Sequence, residues 1–118
     1  MCILGETISS ELIRGHIDTI ILRVLTESDS YGYEIIKSIY LASDKQYELK
    51  EPSLYTSLKR LETGKLIKSY WGDESQGGRR KYYTMTELGK EKYRYALEEW
   101  RIAKRLIDML IEGGKCCE

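Results

Sequence analysis

The stretch from Glu51 to Thr86, EPSLYTSLKRLETGKLIKSYWGDESQGGRRKYYTMT, changes from a helical to a strand-like pattern and limits the fold more tightly than any other part of the chain. Leu54, Leu58 and Leu61 recur at i, i+4 and i+7, so they share one helix face and are expected in a core. The same period turns Thr56, Lys59, Arg60 and Thr63 to the opposite face, with Ser53 and Tyr55 on its flanks. Pro52 suits a first helical position, where its missing N–H costs nothing. Two aromatic-rich runs follow, Leu66 to Trp71 and Arg79 to Met85, joined by a polar segment containing Gly72, Gly77 and Gly78. That pattern predicts a hairpin, with Arg79, Arg80 and Lys81 beside its turn.

A helix with an apolar back and a front of hydroxyls and cations, followed by a hairpin with a basic tip, is the layout of a winged helix-turn-helix. The expected fold class is therefore mainly α with a small β-hairpin (α+β). The helix front suits the major groove of double-stranded DNA, where hydroxyls and cations reach base edges. The hairpin suits the sugar-phosphate backbone or the minor groove. The DNA-contacting residues expected on this basis are Ser53, Tyr55, Thr56, Lys59, Arg60, Arg79, Arg80 and Lys81. Nineteen basic residues balance nineteen acidic ones, so net charge gives no support to nucleic-acid binding. The clustering of cations between Lys59 and Lys81 does, because one surface can be positive on a neutral protein.

Elsewhere the chain reads as helices. Ser9 or Ser10 caps one running to about Leu25, with Ile13, Ile17, Ile20, Ile21, Val24 and Leu25 on its buried face. Leu12, His16, Thr19 and Arg23 trace a second, mixed face that a monomer has little reason to carry. Gly15 weakens that helix and admits a close neighbour. Thr26 to Asp29 reads as a turn, and Ser30 as the cap of a helix from Tyr31 to about Ala42 with Ile35, Ile36 and Ile39 inward. Tyr33, at the start of that helix, fits either packing or a phosphate contact. Ser43 to Lys50 is a polar connection.

Thr86 caps a long helix from Glu87 to about Glu112, closed by Gly113 and Gly114. Tyr93, Ala96, Trp100, Ala103, Ile107 and Leu110 alternate spacings of three and four, a coiled-coil-like seam widened by Leu97, Leu106 and Met109. A helix this apolar on so small a domain needs a partner surface, and the same helix of a second subunit supplies one. The chain thus divides into a winged helix-turn-helix region at 9–86 and a dimerisation helix at 87–112, within one domain of 118 residues. A homodimer of this kind would set two recognition helices roughly 34 Å apart on a palindromic operator.

The segments YGYEIIKSI, EPSLYTSLKRLETGKLI and YWGDESQGGRRKYYTMTELGK resemble the PadR family of bacterial transcriptional regulators, in particular its short subfamily with one C-terminal helix, which includes a lactococcal multidrug-binding repressor. The likeness runs from about Glu11 to about Leu110, and the wing segment is its most specific part. It implies a homodimeric DNA-binding repressor. Trp100, between the small residues Ala96 and Ala103, reads from the residues as either a core tryptophan of the dimer interface or a flat platform for a ligand. The resemblance favours the platform, since the multidrug-binding relative carries a tryptophan at the matching place. A planar hydrophobic small molecule would then lie against Trp100, walled by Leu12, Gly15, His16, Asp18, Thr19, Leu97 and Lys104.

Other functions find little footing. Cys2, Cys116 and Cys117 lie at the chain ends without metal-ligand spacing, and His16 has no ligand companion, so no metal or cofactor is expected. No nucleophile, acid–base pair or phosphate loop points to an enzyme. No apolar run is long enough to cross a bilayer and no signal peptide opens the chain, which leaves the cytoplasm as the expected location. The competing reading is a winged-helix module that binds an acidic protein surface without sensing a ligand.

Overall fold

A computed structural model describes residues 9–72 and 79–113. Cys2, Cys116, Cys117, Gly77, Gly78 and Gly114 lie outside the described residues. The order of elements is α1 (Ser10–Arg14), α2 (Ile17–Glu27), β1 (Ser30–Tyr31), α3 (Gly32–Ala42), α4 (Glu51–Thr63), β2 (Ile67–Trp71), β3 (Lys81–Met85) and α5 (Glu87–Glu112).

The expected first helix is two helices. Ser9 does cap the first, accepting a hydrogen bond from the Glu11 N–H at 3.1 Å. The helix then breaks at Gly15 and His16, and α2 runs two residues beyond Leu25. Apolar periodicity could not show the break, because Ile13 and Ile17 keep the same phase across it. Among the described residues nothing stands within 4 Å of the place a Gly15 side chain would take, so no close neighbour there accounts for it.

The second difference is a third strand. Ser30 does not cap α3 but pairs with Tyr83, and Tyr31 pairs with Tyr82, giving an antiparallel sheet of order β1-β3-β2. The hairpin itself has Ile67 opposite Met85 and Trp71 opposite Lys81. One sheet face carries Ile67 and Tyr83 into the core, and the other carries a row of Tyr31, Tyr82 and Tyr70.

The core forms where α2, α3, α4 and that sheet face meet. Ile21, Ile35 and Leu54 are fully enclosed, with Leu58, Leu61 and Ile67 beside them. Leu49, in the polar connection, is also buried, and so is Ser57 of α4. Each buried leucine or isoleucine stabilises the body by about 1.5–3 kcal/mol.

Two helices end in the same way. After α4 the N–H groups of Lys65 and Leu66 close on the carbonyls of Glu62 and Leu61, with Lys65 left-handed at φ 63°. After α3, Asp44 and Lys45 close on Leu41 and Tyr40. Thr86 then starts α5 as expected. Its hydroxyl accepts from the Gly89 N–H at 3.0 Å and donates to the Lys65 and Leu66 carbonyls, while its own N–H also reaches Leu66. Gly89 is buried against the Leu66 carbonyl, where a side chain would collide. α5 is thereby joined to the end of α4. Its 26 residues extend about 39 Å along α2 and beyond.

Candidate functional site

The wing, α3 and α4 meet at the first residues of α3. Tyr31 ends β1 and stands immediately before the helix. The Arg80 guanidinium lies over the Tyr31 ring, 4.6 Å from its centroid. Gly32 follows, and the Tyr55 hydroxyl of α4 occupies the place a Cβ would take there. Tyr33 comes next and is 67% exposed. Among the described residues no side chain caps α3, and a phosphate suits the N–H groups of a helix start left in this way.

The other wing cations also rest on aromatic rings. Arg79 sits 5.0 Å from the Trp71 centroid and Lys81 is 5.8 Å from that of Tyr83. Such contacts contribute about 0.5–1 kcal/mol at exposed sites. A charge-assisted bond to phosphate is stronger, so the rings orient these cations without trapping them. Behind them, Tyr82 meets Tyr31 edge-on at 5.4 Å and stacks on Tyr70 at 5.7 Å. The Tyr70 hydroxyl donates to Asp29 at 2.6 Å, which raises its pKa and ties the wing to the segment before β1.

On α4, Ser53, Thr56 and Lys59 are exposed, as expected of the outward face. Arg60 is arranged differently. Its Nε and Nη2 each donate to one oxygen of Asp18 at 2.8 Å, and Nη2 also donates to the Ser57 hydroxyl at 3.1 Å. Partial burial alone would raise the Asp18 pKa, but hydrogen bonds from Arg60 and Ser57 with the guanidinium charge hold it below its ordinary value. Residues proposed for two separate purposes, DNA contact and ligand lining, are thus bonded to each other.

Along α5, Trp100 meets His16 edge-on at 4.9 Å and is 39% exposed. Ala96, Leu97 and Ala103 are half-buried, as is Thr19 of α2, while Leu12 and Lys104 are exposed. Tyr93 packs on the core. Beyond Ala103 the seam is uncovered: Leu106 and Ile107 are each 47% exposed, and Leu110 is 80% exposed. Among the described residues no helix is long and apolar enough to cross a membrane.

The family model described as the PadR-like family of transcriptional regulators matches residues 21–95. The chain belongs to the PadR-like family. A relative from Lysinibacillus sphaericus, described as uncharacterized protein X, is 44% identical over 106 residues, covering 90% of this chain and 97% of that protein. Among solved structures, a transcriptional regulator from Clostridium thermocellum is 48% identical with a TM-score of 0.79, covering 86% of this chain and 95% of its own. A PadR family transcription regulator from Clostridium difficile R20291 is 41% identical with a TM-score of 0.72, covering 82% of this chain and 99% of its own. The PadR family consists of transcriptional regulators, not enzymes, and its winged helix-turn-helix with a C-terminal helix is the fold seen here.

Sequence reading missed the Asp18–Arg60 pair, the Asp29–Tyr70 bond and the tyrosine row. The first two join residues far apart in the chain, and no local pattern announces them. The row had a signal in the ten tyrosines, but their faces depend on the register of β1, a two-residue strand.

Proposed function

We propose that this PadR-family regulator is a repressor that binds a palindromic operator as a homodimer and is released by a planar hydrophobic molecule at the dimer interface. The observation that carries this reading is the uncovered apolar strip of α5, from Trp100 to Ile111, on the subunit that presents the cationic front of α4. Soluble chains rarely leave so continuous a strip bare. Pairing α5 with its copy covers the strip and fixes the distance between two copies of α4. In this reading Ser53, Thr56 and Lys59 face the groove, Tyr33 and Tyr55 face a phosphate at α3, and Arg79, Arg80 and Lys81 follow the backbone. Trp100 and its symmetry mate form the ligand platform, walled by Leu12, Gly15, His16, Thr19, Leu97 and Lys104.

Salt titration tests the DNA part. Lys59→Ala and Arg79→Ala, each present in both subunits, should each lower the log–log salt slope of duplex binding by about 1.8, roughly 0.9 per lost contact. If both leave affinity and slope unchanged, another surface binds DNA. Dye binding tests the ligand part. In a Trp71→Phe background, planar aromatic dyes should quench Trp100 emission, and the same dyes should gain no fluorescence anisotropy with Trp100→Ala. Equal dye binding by Trp100→Ala would remove the platform.

A further inference from the structure

We propose that Asp18 and Arg60 form a clasp that fixes the tilt of α4 on α2, making Arg60 a positioning residue for DNA reading rather than one that touches DNA. This rests on the reading of α4 as the DNA-facing helix. Three observations point the same way.

The bond has fork geometry. Two guanidinium nitrogens meet the two carboxylate oxygens, each at 2.8 Å, and one of them also engages Ser57. Ser57 is only 2% exposed, and Arg60 supplies the hydrogen bond that makes burial of its hydroxyl tolerable. A paired, planar donor set of this kind specifies direction as well as proximity.

The bond also turns Arg60 away from the reading face: it stands one turn after Thr56 and its side chain is 58% exposed, but its guanidinium is held on Asp18 of α2. Arg60 and Tyr55 are five residues apart and fall on opposite flanks, one toward α2 and the other toward Gly32 of α3. Thr56 and Lys59 lie between them on the exposed front. Arg60 belongs to the carboxy-terminal half of α4, the half already fastened by the turn at Lys65 and Leu66 and by Thr86. The clasp adds a second point of attachment there, and in the amino-terminal half Ser53 and Thr56 stay exposed.

Asp18 also has an informative neighbour. It lies two residues after His16, which touches Trp100. The first turn of α2 therefore holds α4 through Asp18 and meets α5 through His16. A displacement of α5 against α2 is felt at the clasp, and so at the tilt of α4.

The test measures binding to two duplexes, one selected by the wild-type protein from a random-sequence library and one of random sequence, across a salt series. Asp18→Asn and Arg60→Lys should each weaken the selected duplex roughly threefold to tenfold while leaving random-duplex affinity and the salt slope unchanged. Lysine keeps the charge but cannot form the fork, so it fails as a clasp and serves well as a phosphate contact. The exchange Asp18→Arg with Arg60→Asp should regain part of the loss, with melting temperatures confirming that each variant is folded. The clasp is overturned if Asp18→Asn binds both duplexes like the wild type. It is equally overturned if Arg60→Lys is silent and Arg60→Gln weakens both duplexes and lowers the slope by about 1.8, one contact from each subunit. Lys59→Ala separates this from failure of the underlying reading. If Lys59→Ala loses affinity while Asp18→Asn does not, the clasp alone is wrong; if Lys59→Ala is also silent, α4 is not the DNA-facing helix and both fall.

Discussion

From Ile17 to Tyr83 one set of apolar side chains, among them Ile21, Ile35, Leu54 and Ile67, closes into a core, whereas α5 buries only Gly89 among its 26 residues and leaves Leu110 and Ile111 about four-fifths exposed. Both regions are amphipathic and similarly rich in leucine and isoleucine, so composition does not separate them. The body completes its own core, with sheet, α2, α3 and α4 each covering the others. α5 is covered for its first turns by β3 and α2 and is bare beyond them. The contrast shows that an apolar period reports a face to be covered and says nothing about which chain covers it.

The largest expected effect falls in the body. Leu58→Ala should destabilise the subunit by roughly 2–5 kcal/mol in urea denaturation, because Leu58 is enclosed and leaves a cavity. A loss below about 1 kcal/mol, the range of a surface change, would mean that the body is not self-contained. The joint between the regions comes next. Thr86→Ala removes the cap of α5 and its bonds to the Lys65 and Leu66 carbonyls, and should cost about 1 kcal/mol, read by the same denaturation.

A smaller effect depends on pH. The folded pKa of Asp18 is depressed, so its contribution is full above the ordinary value of 3.8 and is lost as pH falls through the lower folded value. Asp18→Asn should therefore cost about 1 kcal/mol or less near neutrality, since the pair is partly exposed. The difference from the wild type should shrink as the medium is made more acidic than the ordinary value. A difference that grows on acidification would contradict the pairing. The smallest change has the opposite sign: Lys65→Gly relieves a left-handed residue at φ 63° and should stabilise by about 0.5 kcal/mol in denaturation at neutral pH.

The elements whose residues satisfy one another locally were legible in the sequence. Leu54, Leu58 and Leu61 gave α4 its inner face, Thr86 and Gly113 bounded α5, and the aromatic runs gave the hairpin. What escaped was settled at a distance. β1 exists because Ser30 and Tyr31 find Tyr83 and Tyr82, and two residues are too few to show a period. Leu49 stands in a largely polar segment and is buried all the same, with Tyr47 packed on the core beside it in sequence. Ser57 is a buried hydroxyl whose partner, Arg60, is itself directed by Asp18 of another helix. At the candidate site, residue types and general location were readable, but the mutual commitments of Arg60 with Asp18, Tyr55 with Gly32 and Arg80 with Tyr31 were not. Each joins residues that no helical or strand period relates.

Sedimentation equilibrium, run with duplex titration on the wild type and Ile107→Glu, tests most directly whether α5 is written for a second copy. The wild type should sediment as a dimer that binds the selected duplex. Ile107→Glu should keep the folded body and its melting temperature as a monomer, shift toward single subunits, and lose selected-duplex affinity. A wild-type protein that remains a folded monomer at working concentrations and still binds that duplex at full strength would contradict the pairing of α5.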